Sequence, residues 1–237
     1  MGRIFTVSSG SGGVGKSMIA LSIAVGAAKA GHQTILLDAS GSARSCDLTL
    51  GLESVVTLDM MDIFRDQISI SSALYSVPKH DRLRFGCASL YDSVSVSELT
   101  GIILALQTLC EVLVIDLPTG QFELGSGIMK SGDERLIVTR PDNASLRAAE
   151  RLMQHVLRDQ AGMSIVINRV SKDRIKRKTQ YDQDTVQAVL DQVAIGCIPE
   201  DAAIYDAELR GKSAIESDGP AKATLQALTK KLLSGSI

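Results

Sequence analysis

Short runs of apolar, often β-branched residues alternate along this chain with longer stretches in which apolar side chains recur every three or four positions. The runs Arg3–Ser8, Thr34–Asp38, Leu83–Ala88, Val112–Asp116, Arg135–Thr139, Ser164–Asn168 and Val193–Ile198 are short and bounded by turn residues, and they read as buried strands. Helical periodicity covers Met18–Ala30, Asp59–Arg65, Ser97–Leu109, Ser145–Arg158, Asp184–Gln192 and Pro220–Leu233. Strands buried on both faces and separated by helices imply right-handed crossovers, so the predicted fold class is α/β: a doubly wound, mostly parallel sheet with helices on both faces. No internal repeat, low-complexity tract or linker divides the chain, and residues 1–237 read as one domain. Such sheets bind ligands at the carboxyl ends of their strands, which directs attention to the loops after Ser8, Asp38, Asp116, Thr139, Asn168 and Ile198.

Composition narrows the classes. With 237 residues and 45% hydrophobic content the chain can bury a sizeable core, which excludes disorder as its main state. Lys and Arg number 25 against 27 Asp and Glu, so no global field draws the chain to nucleic acid or anionic lipid. Four Phe, four Tyr and no Trp leave few platforms for stacking bases. Cys46, Cys87, Cys110 and Cys197 lie far apart without C-x-x-C spacing, which disfavours a disulfide framework and a zinc site and fits a reducing cytoplasm. His32, His80 and His155 are equally scattered and receive no role. Met1–Val7 is no uninterrupted secretory h-region, and Met18–Ala28 and Leu99–Ile115 are too short, or broken by Gln107 and Glu111, to span a bilayer. A cytoplasmic location is expected.

The strongest chemical signal is Gly10-Ser-Gly-Gly-Val-Gly-Lys16-Ser17, which satisfies G-x-x-x-x-G-K-[ST] between a strand and a helix. Glycines let successive backbone N–H groups turn toward phosphate oxygens, and the helix beginning near Lys16 adds the positive end of its dipole. In this pattern Lys16 reaches the β- and γ-phosphates and the Ser17 hydroxyl meets Mg²⁺. The bland alternative is a glycine-rich turn with no ligand. Val112–Asp116 is an apolar strand ending on a carboxylate, where a P-loop NTPase holds its Mg²⁺, although Asp116 also suits a plain strand-end or capping role. Asp38 ends a neighbouring strand in the same manner, with turn initiation as its bland alternative.

With these residues in place the chain resembles the MinD/ParA family of P-loop ATPases, in particular its MinD branch. Phe5 to Ser17 resembles the family's opening strand and deviant phosphate loop. The segment from Asp38 through Arg44 to Gly51, Asp116-Leu-Pro-Thr-Gly120, Thr139-Arg-Pro-Asp142, Asn168-Arg169 and Gly196 to Asp201 follow in family order, so the resemblance spans nearly the whole chain. It implies ATP or ADP and Mg²⁺ as ligands, and an ATP-dependent homodimer that engages a surface, regulator or cargo until hydrolysis releases it. Gly12, Gly13, Val14, Gly15, Lys16 and Ser17 would surround the phosphates, and Asn168, Arg169, Pro199, Glu200 and Asp201 the adenine. Lys16, Asp38 and Asp116 would serve the reaction, and Ser17 and Asp116 the metal. Read from the residues alone, Asn168 and Pro199 are loop residues.

Two departures concern the γ-phosphate. Ser11 stands where the family carries a lysine that crosses to the partner's phosphates, and Ser40 stands where it carries a second aspartate that polarises the attacking water. A hydroxyl supplies neither the charge nor a base at neutral pH. Binding is therefore expected to be more secure than turnover: an ATP-binding, slowly hydrolysing switch that positions a septum, flagellum or pilus. The alternatives are a non-hydrolysing scaffold of the TadZ/CpaE kind and a ParA-like DNA-partition protein. The Pro220–Leu233 helix, with Leu225, Leu228 and Leu232 at core spacing, reads as packed on the sheet in preference to a membrane anchor. The basic run Lys172–Lys178 reads as a solvated loop, with a polyanion contact as the alternative, and DNA binding is not expected of so neutral a chain.

Overall fold

The computed structural model describes residues 2–41, 45–66, 68–89, 94–119, 128–129, 132–156 and 163–235. Arg44, Gly120 and the predicted helix end at Arg158 lie outside the described residues. The strands are β1 (Arg3–Ser8), β2 (Thr34–Asp38), β3 (Tyr75–Val77), β4 (His80–Cys87), β5 (Val112–Asp116), β6 (Glu134–Thr139), β7 (Met163–Val170) and β8 (Ala194–Pro199). They form one eight-stranded sheet in the order β3-β4-β2-β5-β1-β6-β7-β8. Every neighbouring pair is parallel except β3 with β4.

The central strands show why the fold holds. Side chains alternate between the faces of a strand. Phe5, Val7, Leu36, Val112 and Val114 join one buried cluster, and Ile4, Ile35, Leu37, Leu113 and Ile115 join the other. The first face is covered by α1 (Lys16–Lys29) and by the last helix, Ala221–Ser234. The second is covered by Val96–Gln107 and Asn143–Val156. The helix Val96–Gln107 starts in a capping box, with Ser95 accepting from the Glu98 N–H while Glu98 reaches back to the Ser95 N–H. Leu225, Leu228 and Leu232 of the last helix are buried against the sheet, as their spacing predicts.

Several expected boundaries move. The predicted helix Asp59–Arg65 begins only at Asp62, because Asp59 Oδ1 accepts the N–H groups of Met61 and Asp62 and turns the chain before helix can form. The strand expected from Leu83 starts at His80, paired antiparallel with β3, whose three residues carry too little pattern to be seen. The basic run is a correction. Its first five residues form a short helix, Lys172–Lys176, because the Ser171 side chain caps the Arg174 N–H. Short helices at Cys46–Leu50 and Ala203–Leu209 were likewise not legible as periodic patterns. Among the described residues no helix is long and apolar enough to cross a membrane.

Candidate functional site

The site starts from register. In the parallel pair β2–β5, Asp38 stands opposite Asp116, so the two strand-ending carboxylates leave the sheet side by side on the same face. That face is the one α1 covers, because Leu36 and Val114, two residues earlier on each strand, both belong to the α1 cluster. The phosphate loop delivers the first residue of α1 onto them. Lys16 Nζ donates to Asp116 Oδ1 at 2.5 Å, with the lysine 6% exposed and the aspartate fully buried. Asp38 Oδ1 accepts both the Ser40 N–H at 2.9 Å and the Ser40 hydroxyl at 2.5 Å. Burial pushes the Asp116 carboxyl up to about 6; the Lys16 ammonium works against that shift and the Asp38 carboxylate adds to it.

The loop itself is built for close approach. Gly15 precedes α1 with φ of 94°, a left-handed conformation suited to glycine, and a Cβ there would come within 2.1 Å of Asn168 Nδ2. At Gly12 and Gly13 the space a Cβ would take is open. Above the loop lies a cleft of about 570 Å³ lined by Gly12, Gly13, Lys16, Ser17, Ser40 and Cys46, among others. The backbone N–H groups of a loop opening a helix, one partly buried hydroxyl at Ser17 and two buried carboxylates form the donor set that a Mg²⁺-bound polyphosphate requires. Asp38 Oδ2, buried and without a hydrogen-bond partner among the described residues, is an acceptor that such a cation can serve.

A smaller recess adjoins the cleft and gathers the remaining expected residues. Gly15, Asn168, Arg169, Pro199, Glu200 and Asp201 line it together. Asn168 earns its place by a bond the sequence does not announce: its Nδ2 donates to the Val14 carbonyl at 2.8 Å, tying β7 to the phosphate loop, while its Oδ1 accepts the Arg169 N–H. Arg169 adopts φ of 57°, a strained turn immediately after Asn168. Asp201 is already committed, because its carboxylate accepts the N–H groups of Ala203 and Ala221 and so fixes the starts of two helices. Glu200 pairs with Arg174 of the basic run at 3.2 Å, and Arg177 pairs with Asp173 at 2.8 Å, so two of the run's cations are answered within the chain.

Among the lining residues that sequence reasoning missed are Cys46, at the cleft floor, and Ile204, Tyr205 and Glu208, which face the recess from the helix Ala203–Leu209. Burial raises the Glu208 carboxyl, with Arg169 opposing it. Ile204, Tyr205 and Glu208 sit in no sequence motif, and Cys46 lies in the Asp38–Gly51 segment without being singled out there; the packing of two short helices brings all of them in.

A family model described as the CobQ/CobB/MinD/ParA nucleotide binding domain matches residues 5–215. The septum site-determining protein MinD of Helicobacter pylori is 28% identical over 244 residues, covering 98% of this chain and 91% of that protein. The fold is shared with MinD in the MinC:MinD cell division complex of Aquifex aeolicus, at 24% identity and a TM-score of 0.87 over 99% of this chain and 97% of that one. It is also shared with the MinD of Pyrococcus horikoshii complexed with Mg-ADP, at 22% identity and a TM-score of 0.83 over 100% of this chain and 98% of that one.

Proposed function

The chain belongs to the CobQ/CobB/MinD/ParA nucleotide-binding family, and from that premise we propose that it is a MinD-like ATP-binding switch that positions a cellular structure. The observation that carries the reading is the buried contact of Lys16 with Asp116 beneath an open glycine loop. That ammonium is held in place by a carboxylate until a stronger anion arrives. When the polyphosphate of ATP enters the cleft, the Gly12–Gly15 N–H groups and the α1 terminus receive the phosphates, and Lys16 turns from Asp116 to them. Ser17 and the freed Asp116 would hold Mg²⁺, which would supply positive charge against the negative charge of the polyphosphate. Asn168, with Arg169 and the Pro199–Glu200 turn, holds the base.

Two serines near the γ-phosphate position slow turnover. In the family an aspartate two residues beyond Asp38 polarises water; here Ser40 instead spends its hydroxyl on Asp38. Ser11 brings no cation across a dimer interface, and in-trans cations of the arginine-finger kind contribute roughly 10³- to 10⁵-fold to rate. These features favour a nucleotide-loaded scaffold that dimerises on ATP and hydrolyses slowly. ATP binding and hydrolysis measured side by side on the purified chain test this. We expect binding with little turnover, lost in Lys16→Ala, and turnover gained in the double variant Ser11→Lys, Ser40→Asp. Brisk wild-type hydrolysis would show that other groups do this work, and absence of binding would refute the proposal.

A further inference from the structure

The cleft floor contains one group that the nucleotide reading does not use. Cys46 is buried, and its Sγ stands 3.9 Å from Asp116 Oδ2. One donor atom from each of Asp38, Cys46 and Asp116 lies within 4.8 Å of the others. Sequence spacing argues against a zinc site, yet the fold brings this thiol and two carboxylates together from separate elements. The sign of a missing occupant in the nucleotide-free chain is Asp38 Oδ2, the same acceptor that Mg²⁺ would serve with nucleotide bound. Ser40 takes up Oδ1 twice, whereas the buried Oδ2 has no hydrogen-bond partner among the described residues. We propose that Asp38, Cys46 and Asp116 bind a thiophilic divalent cation, Zn²⁺ or a similarly soft ion, when nucleotide is absent.

Donor chemistry sets the selectivity. Mg²⁺ takes oxygen ligands in near-octahedral geometry and keeps its waters, whereas a thiolate recruits Zn²⁺ or Cd²⁺. With Zn–O near 2.1 Å and Zn–S near 2.3 Å, tetrahedral donors sit about 3.4 to 3.6 Å apart. The trio needs to contract by about an ångström, and the Ser17 hydroxyl or a water completes the fourth position. Charge favours the ion as well. Two carboxylates and one ammonium leave a net negative floor. On binding, Cys46 Sγ–H releases its proton to solvent and the thiolate lone pair forms the metal–sulfur bond, with no change of oxidation state. The dication and Lys16 then balance the thiolate and the two carboxylates. The ion also occupies carboxylates that Mg²⁺-nucleotide would need, so it should antagonise nucleotide loading; that corollary alone rests on the nucleotide reading.

The test is a Cd²⁺ titration of the full chain without nucleotide, followed by the thiolate-to-Cd²⁺ charge-transfer absorption in the ultraviolet. A saturating band is expected at a single equivalent, displaced by Zn²⁺ but not by Mg²⁺. It should be lost in Cys46→Ser and kept in Cys87→Ser, Cys110→Ser and Cys197→Ser. No band in the wild type, a band that survives Cys46→Ser, or ready displacement by Mg²⁺ would overturn the proposal. Should Cys46→Ser lose its native circular dichroism, Asp38→Asn carries the test. Removing a direct ligand should weaken Cd²⁺ by more than the roughly 10- to 100-fold typical of losing an outer partner, and unchanged affinity would be decisive against the site. ATP binding on the same preparations separates the two ideas: ATP bound without the band removes this site alone, and the band without ATP binding removes the nucleotide reading alone.

Discussion

Helix α1 has a recess at each end, and the two are opposites. At its start lies the phosphate-loop cleft of about 570 Å³, and at its finish, against the last helix, lies a larger hollow of about 820 Å³ bordered by Lys29, His32, Lys212, Glu216 and Lys230. The larger one is rich in charge, but the charge is wet: Lys29 meets Glu216 at 2.6 Å while 51% exposed, and Lys222 meets Asp218 at 3.9 Å with the aspartate 90% exposed. In the smaller one Lys16 and Asp116 are desolvated. Screened pairs contribute little and change little when a ligand arrives, whereas a buried pair exchanges one strong interaction for another. The proposed nucleotide site is thus marked by buried, exchangeable charge beneath free backbone donors and not by its volume.

The sharpest way to break that contrast is to remove the lysine from each end. Lys16→Ala leaves the Asp38 and Asp116 carboxylates unanswered and should cost on the order of 3–5 kcal/mol in urea denaturation, together with ATP binding. Lys29→Ala, at a largely exposed pair, should cost less than about 1 kcal/mol and leave ATP binding intact. Equal losses would erase the distinction. Next come two glycines of similar conformation. Gly15 and Gly31 have φ of 94° and 99°, but a Cβ on Gly15 meets Asn168 and one on Gly31 meets nothing within 4 Å. Both alanine variants should lose about 1 kcal/mol or more to backbone strain, and only Gly15→Ala should also lose nucleotide affinity by calorimetry.

A smaller effect belongs to His80, which meets Glu216 at the edge of the larger hollow. Burial lowers the pKa of His80, outweighing Glu216, whose carboxylate favours the charged ring. The folded chain therefore resists a proton that the unfolded chain accepts near pH 6.5, so stability falls as pH drops through about 6.5 and is unaffected above it. His80→Gln should flatten that slope between about pH 7.5 and 5.5 in chemical denaturation. Glu216, whose own pKa is lowered chiefly by the Lys29 and Ser213 hydrogen bonds against the opposing cost of burial, gives up its contribution only at more acidic pH. An unchanged slope in the variant would remove His80 as the cause.

What could be read beforehand follows from locality. Lys16, Asp38 and Asp116 were legible because a glycine loop and two strand-end aspartates each declare themselves within a few residues. The parallel sheet was legible because its strands are apolar on both faces. Asn168 and Pro199 were reached only through family resemblance, since the Asn168 bond to Val14 joins residues 154 apart. Cys46 was invisible for the same reason, and its isolation in sequence argued against the very company it keeps. The edge strand Tyr75–Val77 and the helix Lys172–Lys176 were lost to brevity, where one cap or a few backbone pairings decide the structure and periodicity has no room to show.

Strand order also has a consequence in time. The strand that leads into the phosphate loop, β1, lies between β5 and β6 at the middle of the sheet, although more than a hundred residues separate it from them in the chain. During synthesis the glycine loop leaves the ribosome early, but its strand has no neighbour on either side, and Asp38 has no β5 to hold it in register, until Asp116 and then Glu134–Thr139 have emerged. Such distant pairings close slowly. A nascent chain stalled before Asp116 would carry the whole phosphate motif and still be unable to hold Lys16 in place.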